Sequence, residues 1–515
     1  MSALEQGPSG GGPRTPQTDL PVALIVVALL TVAISIPFGP KAIGFGLVAF
    51  AAILFVAAGE RVSELATWPN AVGLLLLVVW LIPIKGYALP VDLPFQLEHY
   101  RVTILLLLFA LVAGVLSKRM RFGFAGRGRV VAVLAGVALT TQVMNLGDID
   151  ANTGVSGTAI KSLSYFLAYL IVYMLVCSTL ASRLEIDRVI RVLVAGAGVV
   201  AVAALYEART GYNPFNHLAE WLPGIERQYR DIVEVRGGRL RVLASSQHPI
   251  ALGVALTLAV PMAFYLSGRA ATVVKARLWV VVACLLAVGA AATISRTTVA
   301  MAVVMAVAAL SLRGREVARY WPVLLLVPFV IHFAAPGALG GLYKQFFPKR
   351  GLIADLNGRA GQGGSGRLAD IDPAMRLWER SPLLGHGLGN EFPTTEDAGF
   401  YPGKAPPPII FDDQYLDSLV KTGVLGLGAI LVFFWGGAIG LIRRARRLVG
   451  AESDLAAACG IAAAGFSAAM LFFDAFAFVQ ATLVCVMIIA LGYRGVELLE
   501  QSEGSTGESI RGGVS

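Results

Sequence analysis

Apolar runs of membrane-spanning length recur along almost the whole of this chain. Fourteen can be marked: 20–37, 42–59, 71–86, 102–117, 130–146, 163–181, 189–206, 249–267, 278–294, 298–312, 321–336, 414–442, 454–472 and 475–493. About 20 helical residues cross a hydrocarbon core of ~30 Å. The shortest runs lie at the lower limit, so the expected count is fourteen, or twelve if these do not cross. Backbone amides in lipid must be satisfied within the segment, and the runs are continuous rather than alternating. That leaves helices and excludes a transmembrane barrel. Composition closes the other routes: 56% of the 515 residues are hydrophobic and only 15% are charged, against about 25% charged in soluble proteins. A soluble globule and a disordered chain are both excluded. The expected fold class is all-α, a polytopic transmembrane helix bundle with two long extracytoplasmic loops.

The net charge of +9, from 42 basic and 33 acidic residues, reads as membrane orientation and not as nucleic-acid binding. Residues 1–19 are a Gly/Pro/Ser-rich tail without the basic region and cleavage site of a signal peptide, expected to be disordered and cytoplasmic. With that end inside, basic clusters around Lys118, Arg183, Arg269, Arg313 and Arg443 all fall on the inner side. The expected order is N-terminal spans in 20–206, a first long outer loop in 207–247, central spans in 248–336, a second long outer loop in 337–413, C-terminal spans in 414–493 and a cytoplasmic tail in 494–515. The place is thus a cytoplasmic or inner cell membrane, with the site on the extracytoplasmic side. Cys177, Cys284, Cys459 and Cys485 all lie in apolar runs and form no CxxC pair. They read as small buried hydrophobes, with no metal and no cofactor expected.

Four stretches carry chemistry. The first is RLRVLASSQHPIALG, 239–253, in which Arg241 precedes Pro249 by eight residues and His248 stands beside it. Proline suits the first turn of a helix, whose free N–H groups and positive dipole end favour an anion. The second is ISRTTVAM, 294–301, which places Arg296 between two spans with almost no loop. A cation at membrane depth is costly unless it faces a partner or a cavity; the plain alternative is a snorkelling residue in a tight turn. The third is SGRLADIDPAMRLWERSPLLGHGLGNEF, 365–392. An amphipathic helix is expected over 373–380, followed by alternating Gly385, Gly387 and Gly389, which suit a turning backbone or a close approach to a ligand. Arg367 and Arg376 are candidate phosphate ligands, because the guanidinium fork matches phosphate oxygens. His386 is a candidate acid or base, with a structural role as the plain reading.

The fourth stretch is FDDQYLDSLVKTGVLGLGAI, 411–430. Asp412 and Asp413 stand where the second long loop meets a span, and Tyr415 opens the apolar seam. Asp417 and Lys421 lie one helical turn apart. A carboxylate there suits a general base for a sugar hydroxyl. The competing role is helix capping, in which aspartate is favoured.

The order and spacing of Arg-x7-Pro, then Ser-Arg, then Arg before SPLLGHGLGN, then DDQYLxxLVKTGxLGL resembles the O-antigen ligase and O-antigen polymerase family over about residues 200–440. The resemblance implies a metal-independent glycosyltransferase of cell-surface polysaccharide biosynthesis. Such an enzyme moves a glycan from a polyprenyl-pyrophosphate-linked oligosaccharide to the hydroxyl of an acceptor glycan or glycolipid at the outer face of the lipid bilayer. It further implies pyrophosphate-binding roles for Arg241, Arg296 and Arg367. Asp412 and Asp413, the candidate catalytic pair, depart from the His–Asn of many members, whose His is the proposed base in ligases, so the resemblance requires Asp412 to replace it. His248, Arg376 and Tyr415 are further substrate-binding candidates. Polymerase and ligase fit the motifs equally, and other polysaccharide assembly proteins are candidate partners. The alternatives are a multi-span transporter of a small solute or lipid-linked glycan, and a non-catalytic scaffold of an export complex.

Overall fold

The structure, a computed structural model, describes residues 67–91, 96–152, 158–222, 225–228, 235–236, 239–318, 320–349, 351–357, 368–390 and 411–512. The chain divides into Met1–Thr67 and Trp68–Ser515, and the architecture below is that of the second unit. The expected spans 20–37 and 42–59 and the N-terminal tail lie outside the described residues.

Each of the other twelve apolar runs carries a helix. The first part of the chain contributes α1 (Trp68–Leu81), strand β1 (Tyr87–Ala88), α2 (His99–Leu116), α3 (Gly128–Met144), α4 (Leu146–Asn152), α5 (Ile160–Thr179) and α6 (Arg183–Thr210). The segment after α6 holds short pieces only: α7 (Leu218–Trp221), β2 (Glu226–Arg227), β3 (Val235–Arg236) and β4 (Arg239–Leu240). Next come α8 (Pro249–Gly268), α9 (Val273–Ala292), α10 (Arg296–Ala318), α11 (Trp321–Ala334), α12 (Ala338–Phe346), α13 (Leu352–Asn357) and α14 (Ile371–Trp378). The chain closes with α15 (Gln414–Arg447), α16 (Gly450–Ala469) and α17 (Val479–Gly512). The strands form two antiparallel two-residue pairs, Tyr87 opposite Arg227 and Val235 opposite Leu240, which tie loops together.

Among the described residues, eight helices are long and apolar enough to cross a membrane. The pair Leu326–Ala334 and Ala338–Phe346, bent by 110°, makes a ninth if taken as one span, and α1 and α3 are shorter apolar helices. The fourteen runs therefore differ in kind. The run 321–336 belongs to a bent pair because Gly337, left-handed at φ 82°, turns the chain between α11 and α12.

Local chemistry sets the helix ends. Ser182 caps α6 by accepting a hydrogen bond from the Glu185 amide at 3.3 Å, and the Glu185 carboxylate reaches back to accept the Ala181 amide at 2.7 Å. Gly211, left-handed at φ 73°, ends α6 and donates to the Glu207 carbonyl at 2.8 Å. Helix α8 is the centre of the bundle. It is buried over 83% of its apolar stretch and α17 over 78%, against 22% for α2 and for α10, which face outward. Small residues let α16 approach its neighbours closely: a Cβ on Gly465 would stand 2.3 Å from Met305 Cγ, and one on Gly460 3.0 Å from Ile442 Cγ1.

At one end of the bundle, here the arginine end, Arg183 reaches Asp187, Tyr265 and the Ala451 carbonyl, and Arg313 pairs with Asp454 at 2.8 Å. Arg127 is buried between α15 and α17. Its guanidinium donates to Tyr493 Oη (2.8 Å) and to the carbonyls of Val432 (2.8 Å) and Phe433 (2.9 Å). It also lies 4.7 Å above the Tyr493 ring. Hydrogen bonds to a charged donor contribute ~1.5–3 kcal/mol each, offset by the cost of burying the charge. Arg127→Ala is expected to destabilise the protein by ~2–4 kcal/mol on that balance. The check is the thermal midpoint in detergent; an unchanged midpoint would mean that desolvation cancels the bonds.

Candidate active site at the loop end of the bundle

The opposite end carries the segments between α6 and α8 and between α12 and α15, and all four sequence motifs converge there. The first motif is an extended stretch sunk into protein. Arg241 is 3% exposed, and its Nε donates to the Thr293 carbonyl at 3.0 Å. Glu207, in the last turn of α6, accepts the amides of Leu243 (3.1 Å) and Ala244 (2.7 Å). Asn213 Nδ2 donates to the Ala244 carbonyl at 2.9 Å. These bonds hold Ala244 at a left-handed φ of 44°, a conformation a residue with a Cβ adopts only when its surroundings impose it.

His248 caps α8. Its Nδ1 accepts the Ile250 amide at 3.1 Å, Pro249 occupies the first turn, and the imidazole stacks on Phe478 at 5.0 Å. The sequence placed His248 at the substrate, and the structure gives it this structural engagement. Ser246 bonds Gln480, whose Nε2 reaches the Val79 carbonyl at 2.9 Å, and Gln247 Nε2 donates to the Ala477 carbonyl at 2.8 Å.

The second motif lies beside the first. A Cβ on Gly253 would stand 2.2 Å from Thr298 Oγ1 and 2.7 Å from Thr293 Oγ1. The bare glycine therefore lets the α9–α10 turn close on the start of α8. Arg241 is bonded to Thr293, three residues before Arg296, so the two arginines belong to one corner of the fold. Half-buried Arg296 opens α10, and its Nη1 donates to the Gln345 carbonyl of α12 at 3.2 Å.

The third motif explains its glycines. Helix α15 is broken at Gly423, at φ 64° and ψ −168°. The 382–387 segment lies against the break and takes over its backbone groups. His386 N donates to the Val420 carbonyl (3.0 Å) and Gly387 N to the Lys421 carbonyl (2.9 Å), while Val424 N donates to the Pro382 carbonyl (2.9 Å). Thr141 Oγ1 and Asn145 Nδ2 of the α3–α4 region reach the carbonyls of Leu384 and Gly385. Gly385, Gly387 and Gly389 all have left-handed φ. A Cβ on Gly385 would stand 2.5 Å from the backbone at Lys421 and Thr422, and one on Gly389 2.5 Å from the Thr158 carbonyl. Gly385 and Gly389 thus approach the chain's own backbone, whereas a Cβ on Gly387 would stand 2.6 Å from the Ile149 side chain. His386 Nε2 lies 2.8 Å from the Leu377 carbonyl, which favours its structural role. The amphipathic helix is present as Ile371–Trp378, and Arg376 stands on its exposed side. Arg367 lies outside the described residues.

In the fourth motif Asp413 is the cap of α15: its Oδ1 accepts the amides of Tyr415 (2.7 Å) and Leu416 (3.2 Å). Asp412 is half-buried next to it. Tyr415 donates its hydroxyl to the Ser467 carbonyl at 2.7 Å and so ties α15 to α16. Asp417 pairs with Lys421 at 2.5 Å. Gln414, fully buried, accepts the Phe476 amide at 2.6 Å, and its own amide donates to the Met470 carbonyl at 2.9 Å.

The 470–478 turn between α16 and α17 thus receives bonds from the first and the fourth motif, and the sequence reading gave it no role. It carries Asp474, half-buried, whose Oδ1 accepts the Ala477 amide at 3.1 Å. Lys85 Nζ donates to the same Ala477 carbonyl at 2.9 Å. The Lys85 amide donates to Glu98 at 2.6 Å, and Glu98 pairs with Arg101 at 3.1 Å. The Arg101 guanidinium stacks 4.5 Å from the Tyr165 ring. Burial and the Lys161 ammonium hold Lys85 below the usual lysine value. Burial and the Asp417 carboxylate push Asp474 up to about 6, against the opposing pull of Lys421 and Lys85. The signal that would have found Asp474 is its setting in LFFDAFAF, a lone carboxylate in an apolar flank. Lys85, Arg101 and Lys161 were legible only as loop charges.

Residues 280–431 match the family model described as O-antigen ligase, which supports assignment of the chain to that family. The match includes Arg296, Arg376, Asp412, Asp413, Tyr415 and Gly423, and leaves Arg241, His248 and Asp474 outside it. No curated protein matches the chain.

Proposed function

We propose that this member of the O-antigen ligase family transfers or polymerises oligosaccharide from a polyprenyl-pyrophosphate donor to an acceptor glycan hydroxyl. The loop end would face outward and the arginine end the cytoplasm, as the distribution of basic residues favours. In the reaction the acceptor oxygen attacks the anomeric carbon and the bond from that carbon to the phosphate oxygen breaks. Its electron pair leaves on the pyrophosphate, and the acceptor proton passes to a carboxylate. Arg241 and Arg296 neutralise the growing charge of the leaving group, worth most in a site from which water is excluded. Arg367 and Arg376 are the further cations that the sequence nominates for the same anion. Asp412 and Asp413 are the carboxylates that the sequence nominates. A lipid bilayer and a lipid-linked glycan are the partners, and no metal takes part.

The observation that carries this reading is the burial of Arg241 against the turn that opens on Arg296. Two cations are thereby held at one corner at the mouth of an apolar bundle, the arrangement a lipid-borne pyrophosphate needs. The test uses purified protein in nanodiscs with a polyprenyl-pyrophosphate-linked oligosaccharide and acceptor, following release of polyprenyl pyrophosphate together with product size. Release with a ladder of products identifies a polymerase; release with one addition identifies a ligase. No release, with movement of the intact donor across a bilayer, would overturn the reading in favour of transport.

A further inference from the structure

We infer that Asp474, on the turn between α16 and α17, is the carboxylate that takes the acceptor proton. The inference rests on the transfer reaction proposed above and names the base of that site. The sequence points instead to Asp412 and Asp413, but Asp413 spends its Oδ1 on two backbone amides of α15. Asp417 is 7% exposed and bound to Lys421. Asp474 shares with Asp413 an oxygen held by a backbone amide, and differs in standing on the turn that both the first and the fourth motif contact. The Ala477 amide fixes its Oδ1, and its Oδ2 takes no hydrogen bond among the described residues. One oxygen is oriented and the other is available, the geometry a general base requires.

Its turn is also where the motifs meet. Gln247 bonds the Ala477 carbonyl, His248 stacks on Phe478, and Gln414 bonds the Phe476 amide and the Met470 carbonyl. The turn is thus packed against the end of the first motif and the start of α15. The charged and titratable groups facing it are Asp417 and Lys421 from α15 and Lys85 from the α1–α2 connection. Behind Lys85 stand Glu98, Arg101 and Lys161, and His248 lies over Phe478. The burial and the neighbouring carboxylate that raise Asp474 to about 6 bring its proton affinity close to that of a working base near neutral pH. In the step, the proton moves from the acceptor oxygen to Asp474 Oδ2 as the new glycosidic bond forms and the pyrophosphate leaves. It then passes to bulk water.

The experiment compares wild type, Asp474→Asn, Asp474→Glu, Asp412→Asn and Asp413→Asn in nanodiscs, reading polyprenyl pyrophosphate release against pH and thermal midpoint. Asparagine keeps an acceptor for the Ala477 amide and removes only the basicity. Wild type is expected to lose activity as pH falls through about 6. Asp474→Asn should fall ~10²–10⁴-fold and lose that acid limb. Asp474→Glu should recover part of the rate with the limb displaced, and it carries the test should Asp474→Asn fail to fold. Release by Asp474→Asn within threefold of wild type, or an acid limb that disappears in Asp412→Asn instead, would overturn the inference and leave the transfer reaction standing. Wild type that releases no polyprenyl pyrophosphate at any pH would overturn the transfer reaction itself, and the base with it.

Discussion

Arg241→Ala is expected to reduce release of polyprenyl pyrophosphate by ~10²–10³-fold or more, the scale of losing one preorganised charge partner of a leaving group. The guanidinium is inside protein, so its field is little screened, and its Nε bond to Thr293 fixes its direction before substrate arrives. Truncation also leaves the Thr293 carbonyl without that donor. Thermal midpoint must therefore be read beside rate, since an unmet buried acceptor costs ~1–3 kcal/mol. Arg241→Lys separates charge from geometry: it keeps the cation but not the planar fork. It should hold the thermal midpoint nearer to wild type while recovering only a small part of the rate. Full activity in a folded Arg241→Ala protein would remove this residue from the donor site.

Gly423→Ala is expected to abolish folding or to cost more than ~3 kcal/mol, the range of severe backbone strain combined with overpacking. The position combines φ 64° with ψ −168°, a region essentially reserved for glycine. A Cβ there would stand 2.2 Å from the Leu383 carbonyl oxygen, which is backbone and cannot swing aside. Gly428 is the matched control. It lies five residues along the same helix with nothing within 4 Å of its added Cβ, so alanine there should be neutral or stabilising by up to ~1 kcal/mol. The comparison is folded yield and thermal midpoint of the two variants in the same detergent. Equal behaviour would show that the break at Gly423 is dispensable.

Much of this fold was legible because lipid leaves a chain few choices. Runs of apolar residues must become helices, and the twelve that fall in the described part did so. Pro249 in the first turn of α8 was equally readable, because proline acts there over one turn. The broken helix was harder. DDQYLDSLVKTGVLGLGAI reads as one amphipathic run, and nothing local says that Gly423 interrupts it. The cause is the 382–387 segment, distant in sequence, which supplies the donors and acceptors that make a break affordable. The alternating glycines were singled out for a turning backbone or close approach to a ligand; in the structure Gly385 and Gly389 approach the chain's own backbone at Lys421, Thr422 and Thr158, and Gly387 approaches the Ile149 side chain.

The site divides along the same line. Arg241 and Arg296 could be nominated from their positions at span ends, and the Gly253 contact that puts them at one corner is a tertiary fact. Asp413 was read both as a base and as a cap, and its hydrogen bonds fill the second role. Asp474 and Lys85 lie almost 400 residues apart in sequence and are brought together at Ala477. No spacing rule spans such a separation, so pattern reading reaches residues that share a helix or a turn and misses those that share only a neighbour.

The break in α15 also bears on how the protein tolerates its solvent. An uninterrupted helix of 34 residues would be a rod of ~51 Å, stiff enough to carry any tilt of its lipid-embedded part straight into Asp413, Asp417 and Lys421. Helices answer bilayers of different thickness chiefly by tilting. Because the rod is jointed at Gly423, and the joint is held by the 382–387 segment, residues 424–447 can lean with the lipid while residues 414–422 stay fastened to Met470 and Phe476. The geometry of the proposed site would thereby be insulated from hydrophobic mismatch, and turnover should vary little between nanodiscs of short-chain and long-chain lipids.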